Sequence, residues 1–163
     1  MKTLLLLRHA KSSWKQADLA DHDRPLNKRG KQTAPRMGAL LREEDLVPDL
    51  ILCSSAMRAH KTALLAAEAC SYTGEIQQTR QLYHAEPQDF IEVLRQAAEE
   101  NIRVLVVGHN PGLEMLVEEL TGEAEVMPTA ALAHIELSLE RWSDLDLETE
   151  CRLVKVWRPG ELE

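Results

Sequence analysis

Three short, unbroken apolar runs constrain this chain of 163 residues more than any other feature. They are Thr3 to Leu7, Asp49 to Cys53 and Arg103 to Val107, and continuous apolarity over so few positions predicts strands covered on both faces, as in a parallel sheet. Helical stretches lie between them. Gly30 to Glu44 sets Thr33, Met37, Leu40 and Leu41 at helical spacing, and Ala56 to Cys70 and Asp89 to Glu100 follow the same pattern. Strands alternating with helices require crossover connections and predict an α/β sheet. Near the C-terminus the period changes. Ala130 to Glu140 and Cys151 to Arg158 alternate apolar and polar residues, as half-exposed strands closing a sheet would. The acidic stretch Glu140 to Glu150 is expected to be a surface connection, and Leu120 to Pro128 a loop. The length suits one domain over residues 1–163.

Charge and cysteine usage narrow the surroundings. A net charge of -8 repels nucleic acid and anionic membranes at long range, so neither is an expected partner, and any bound anion needs a local cluster of cations. The opening Leu4 to Leu7 imitates a signal peptide, but Arg8, His9 and Lys11 end the run too early for an export segment. No stretch has the length of an apolar membrane span. Cys53, Cys70 and Cys151 are odd in number and widely spaced, which fits reduced thiols and a cytoplasmic location. Cys53, beside the expected site, reads as a buried inert thiol, with redox sensitivity the alternative.

Each apolar run is followed at once by groups that bind anions. These are Arg8-His9, then Ser54-Ser55 leading to Arg58, then Gly108-His109-Asn110-Pro111-Gly112. In open α/β sheets the C-terminal strand ends form the ligand crevice, with helix N-termini beside them. Three segments are therefore expected to converge, bringing Arg8, Arg58, His9 and His109 to one phosphate-sized pocket. A histidine after a strand is alone more often a packing residue, and an arginine there more often a salt-bridge partner; the conjunction carries the argument. A metal hydrolase using His9, His22, His109 and Asp21 or Asp23 is a rival, but the spacing matches no ligand motif and two arginines oppose a cation. No metal or other cofactor is expected.

Four blocks carry a family resemblance: Leu-Leu-Leu-Arg8-His9-Ala10-Lys11-Ser12, Asp23-Arg24-Pro25-Leu26-Asn27-Lys28-Arg29-Gly30, Ser54-Ser55-Ala56-Met57-Arg58-Ala59, and Val107-Gly108-His109-Asn110-Pro111. In this order they resemble the histidine phosphatase superfamily, phosphoglycerate mutase-like in fold, and in particular its short phosphohistidine phosphatase, SixA-like, members. The resemblance implies a three-layer α/β/α sandwich with a mostly parallel central sheet. It implies that His9 attacks phosphorus and is transiently phosphorylated, with Arg8, Arg58 and a protonated His109 binding the phosphoryl oxygens. Arg24 would line the pocket rim, with an ion pair to Asp21 or Asp23 as the alternative. Lys11, Ser12, Ser55 and Asn110 would supply secondary contacts to substrate, although Ser54 and Ser55 also suit a helix cap.

The leaving group is the remaining question. The mutase-like branch has a glutamate acid where this chain has His84, in Leu82-Tyr83-His84-Ala85-Glu86, and the acid phosphatase branch has an aspartate where this chain has Asn110. Glu86, Asp21 and Asp23 are the candidate general acids that remain. A phosphorus–nitrogen bond needs less help from an acid, which points to phosphohistidine on a partner protein, with inorganic phosphate as product. Short loops leave little room for a lid over a small substrate. The alternatives are a broad phosphomonoesterase acting on small phosphorylated substrates, and a noncatalytic phosphate- or phosphoprotein-binding module.

Overall fold

The computed structural model describes residues 1–162. Its centre is one six-stranded sheet of β1 (Lys2–Arg8), β2 (Leu50–Ser54), β3 (Ile76–Thr79), β4 (Arg103–Gly108), β5 (Leu132–Leu137) and β6 (Cys151–Trp157). The spatial order is β3-β2-β4-β1-β5-β6. The first four strands are mutually parallel, and β5 runs antiparallel to both β1 and β6. Helices α1 (Lys28–Glu43) and α2 (Met57–Ala69) cover one face, while α3 (Pro87–Arg95) and α4 (Gly112–Thr121) cover the other.

This double cover explains the apolar runs. Leu4 and Leu6 of β1 pack with Phe90, Leu94, Leu113 and Leu116, whereas Leu5 and Leu7 pack with Met37, Leu41 and Ala63. Because both faces are dry, alternation vanishes from β1, β2 and β4. It returns in β5 and β6, where the cover is thinner; β6 is mostly exposed or half-exposed.

Four elements depart from the sequence expectation. β3 reads Ile-Gln-Gln-Thr and carries no apolar run because it is an edge strand, paired on one side only. α4 (Gly112–Thr121) is a helix not expected from the sequence. α3 begins at Pro87, where a missing N–H costs nothing, and stops at Arg95 rather than Glu100. The acidic segment 140–150 is more than a surface connection, since Trp142 and Leu145 are fully buried. The Trp142 indole N–H donates to the Asn101 carbonyl at 2.7 Å, and its backbone N–H donates to the Glu99 carboxylate at 2.6 Å. Those contacts hold the chain after α3 in a non-helical path. No helix among the described residues is long and apolar enough to cross a membrane.

Gly30 sets how the loop after β1 lies on α1. Asn27 caps this helix by accepting the Gly30 N–H at 2.8 Å, and the Asn27 N–H donates to the Lys11 carbonyl at 3.0 Å. A Cβ on Gly30 would collide with that same carbonyl. Gly30→Ala is therefore expected to lose about 1–3 kcal/mol of stability, the usual cost of overpacking, and to shift the loop bearing Lys11 and Ser12. Gly160→Ala, where a Cβ meets nothing within 4 Å, is the control. Denaturant unfolding of the two variants measures the difference; equal stabilities would show that the loop yields freely.

Candidate active site

The register of the parallel sheet brings the two site histidines together. β1 and β4 pair Arg8 with Gly108, so the next residue of each strand, His9 and His109, emerges at the same sheet edge. Their ring centroids are 5.1 Å apart. Arg58 enters from the first turn of α2, and the loop between β1 and α1 contributes Lys11, Ser12 and Arg24. These six and Arg8 line one cavity of about 590 Å³, so the strand ends converge on one site.

His9 is nearly buried, and its Nδ1 lies 2.7 Å from the Ala10 carbonyl. A carbonyl only accepts, so Nδ1 carries the proton and Nε2 keeps its lone pair. Burial holds the His9 pKa down at about 4 against the upward pull of the Ala10 carbonyl, and the cations Arg58, Arg8 and Arg24 add to the lowering. The ring is thus neutral and its Nε2 unprotonated at physiological pH.

His109 meets Ser54, not Ser55. Its Nε2 lies 2.8 Å from Ser54 Oγ, which also accepts the Ala56 N–H at 3.1 Å. One Ser54 lone pair is thereby used, and a Ser54 hydroxyl that donates to Nε2 goes with the tautomer carrying the His109 proton on Nδ1. Nδ1 is buried and has no partner among the described residues. Burial, then His9 and Arg58, push the His109 pKa down to about 3. This corrects the expectation of a protonated His109: in this surrounding it is a neutral donor.

Two guanidiniums share one carboxylate. Arg58 donates from Nη2 to Asp21 Oδ2 at 2.9 Å and from Nη1 to the Asp21 carbonyl at 2.7 Å. Arg24 donates from Nη1 to Asp21 Oδ1 at 2.9 Å, from Nε to the Ser13 carbonyl at 3.2 Å, and from Nη2 to Ser12 Oγ. The Tyr83 hydroxyl donates to Asp21 Oδ2 at 2.6 Å. The Tyr83 bond first, then Arg58 and Arg24, hold the Asp21 carboxyl well below the usual carboxylate range despite some desolvation. Arg24 therefore both lines the cavity and forms the ion pair that was its alternative reading. On the opposite side, Arg8 donates from Nη1 to the Met127 carbonyl at 3.0 Å, and its buried Nε has no partner among the described residues.

Other expected contacts lie elsewhere. Ser55 is outside the cavity, bonded to His22 Nε2 at 2.8 Å. Asn110 lines it, but its amide N–H groups go to Glu114 Oε2 at 3.0 Å and the Met127 carbonyl at 2.9 Å, tying α4 to the following loop. Glu86 is exposed and Asp23 points to His22 at 3.7 Å; neither lines the cavity. Asp21 does line it, but as an ionised anchor with no proton to give. Trp14 and His84 also line it, neither of them expected there from the sequence. Only His84 carried a signal, its place at the usual acid position. Burial pushes the Cys53 thiol up to about 12, so it stays protonated. Among the described residues no group of three or more His, Cys, Asp or Glu side chains is placed to hold a metal ion.

The two neutral imidazoles give the fold an acid weakness. Unfolded histidine titrates near 6.5, so between that value and the depressed native ones the unfolded chain binds more protons. Stability is therefore full above pH 6.5 and lost as pH falls, by on the order of 3 kcal/mol for His9 alone by pH 4. The melting temperature of ligand-free protein should drop over this window, and His109→Gln, which has no proton to gain, should drop less. Parallel curves would remove His109 from the titration.

Comparison with known proteins agrees with this geometry. A family model described as the histidine phosphatase superfamily (branch 1) matches residues 4–85. An uncharacterized protein of Mycobacterium leprae is 31% identical over 156 residues, 88% of this chain and 94% of that protein. A structure designated phosphohistidine phosphatase SixA from Agrobacterium tumefaciens superposes with a TM-score of 0.82 at 28% identity, covering 97% of this chain and 98% of that one. A second SixA structure, from Nakamurella multipartitia, superposes with a TM-score of 0.85 at 25% identity, covering 97% and 96%. Sheet, site and relatives together define a phosphatase, a hydrolase that releases phosphate from phosphorylated substrates. More narrowly, the chain belongs to the histidine phosphatase superfamily, branch 1.

Proposed function

We propose that His9 is the phosphoryl-accepting nucleophile of this phosphatase and that its substrate is phosphohistidine on a partner protein. One observation carries the substrate reading. Asp21, the one carboxylate lining the cavity among the described residues, is held ionised by two guanidiniums and a tyrosine hydroxyl, which leaves no carboxylic acid for an alkoxide leaving group. An imidazole does not need one. When the substrate ring carries a proton on its far nitrogen, His9 Nε2 bonds to phosphorus, the substrate P–N bond breaks, and its electron pair leaves on a neutral imidazole. Nucleophile and leaving group are then the same kind of atom, so transfer runs between near equals.

Arg8, Arg58 and His109 surround the phosphoryl oxygens as charge spreads over them, and this positioning and charge stabilisation is most of what phosphoryl transfer requires. Water then attacks phosphorus, the P–Nε2 bond breaks, and both water protons leave with the phosphate. A net charge of -8 disfavours nucleic acid as the partner. A small phosphate ester is the second reading, favoured by His84, an exposed imidazole lining the same cavity and able to protonate an ester oxygen. In assays of purified protein, kcat/KM should be at least about 10²-fold higher on a phosphohistidine carrier protein than on sugar and nucleotide monophosphates, the usual value of the missing acid. An ester matching or exceeding phosphohistidine would decide for the second reading.

A further inference from the structure

Trp14 is 75% exposed, whereas the other two tryptophans, Trp142 and Trp157, are buried. Exposed apolar residues are ordinary when scattered and loose. Trp14 is neither. The Arg24 guanidinium carbon stands 3.2 Å from its ring centroid, and Arg24 is itself immobilised by Asp21, Ser12 and the Ser13 carbonyl. A cation–π stack on a fixed cation thus holds one face of the indole. The ring also lines the cavity that contains His9.

In-line transfer fixes where the leaving group goes. His9, the attacking residue, is nearly buried while Trp14, lining the same cavity, is exposed, so an atom departing in line away from His9 leaves toward the exposed part of the cavity, to which Trp14 belongs. We infer that the free face of Trp14 is a leaving-group subsite for a planar π ring, stacking on the substrate imidazole while His9 takes its phosphoryl group. The inference rests on the phosphohistidine reading and adds the residue that would recognise the ring. Arg24 acts here as a positioning residue, holding the indole from behind.

The single exposed tryptophan makes the test direct, because the emission accessible to acrylamide belongs to Trp14. In the His9→Ala variant, which cannot turn over, phosphohistidine should shield that emission and inorganic phosphate should not. Trp14→Ala should lower the preference for phosphohistidine over glycerol phosphate about five- to tenfold, the scale of one aromatic pair, and Trp14→Phe should restore most of it. An equal loss on both substrates, or no shielding by phosphohistidine, would overturn the subsite. Phenyl phosphate separates it from the proposed substrate: if Trp14→Ala slows this ester selectively while wild-type protein ignores phosphohistidine, the subsite stands and the phosphohistidine reading fails.

Discussion

His9→Ala is expected to lower hydrolysis by on the order of 10⁴-fold or more while leaving inorganic phosphate binding within a few-fold of wild type. The two halves of that result test different residues. Loss of turnover follows because no other lone pair in the cavity is prepared as His9 Nε2 is: the Ala10 carbonyl holds the opposite nitrogen protonated, and burial beside three guanidiniums keeps the ring neutral. His109 cannot replace it, since its Nε2 is engaged by Ser54 at 2.8 Å and its Nδ1 is buried. Retained binding follows because Arg8, Arg58 and His109 remain. Quenching wild-type enzyme during turnover should trap acid-labile, base-stable phosphate on His9, and the variant should trap none. Hydrolysis surviving in His9→Ala would transfer the nucleophile role elsewhere. Loss of phosphate binding together with activity would mean that the pocket itself had collapsed.

The residues legible from sequence are those tied to strands. Arg8, His9 and His109 end or follow runs whose unbroken apolarity predicts doubly covered strands, and parallel register carries whatever ends those strands to one edge. Arg58 was legible because it lies in the first turn of the helix that follows β2 after only two linking residues. Ser54, Asp21 and Trp14 were not legible in their actual roles. Ser54 and Ser55 look alike in sequence, and only the pleat decides which faces His109. The segment from Lys11 to Leu26 has no period to read. Its path is set by tertiary contacts: the Ser12–Leu26 bridge, the Lys11 carbonyl lying against Gly30, and Arg24 folding back to Asp21. β3 stayed hidden for the converse reason, because an edge strand with half its surface wet needs no apolar run.

Asp21→Ala is expected to lower kcat about 10²-fold with KM unchanged or reduced. Asp21 has no proton to offer in the folded protein, so its loss cannot act through acid catalysis. Its two oxygens and its carbonyl instead set both arginines of the pocket wall, Arg24 on one side and Arg58 on the other. Releasing Arg58 lets a phosphate donor move by an ångström or so, and errors of that size cost about two orders of magnitude in rate. Binding responds with the opposite sign, because Asp21 is an anion beside an anion site and removing it strengthens the attraction of the guanidiniums for phosphate. A simple binding residue would raise KM instead. Arg58→Ala should cost more, about 10³-fold, since it deletes the donor itself. The double variant should lose far less than the product of the two, because much of what Asp21 does passes through Arg58. Unchanged kcat in Asp21→Ala would show that α2 alone holds Arg58 in place. A basic limb of the pH–rate profile that vanishes with Asp21 would restore it as a proton donor.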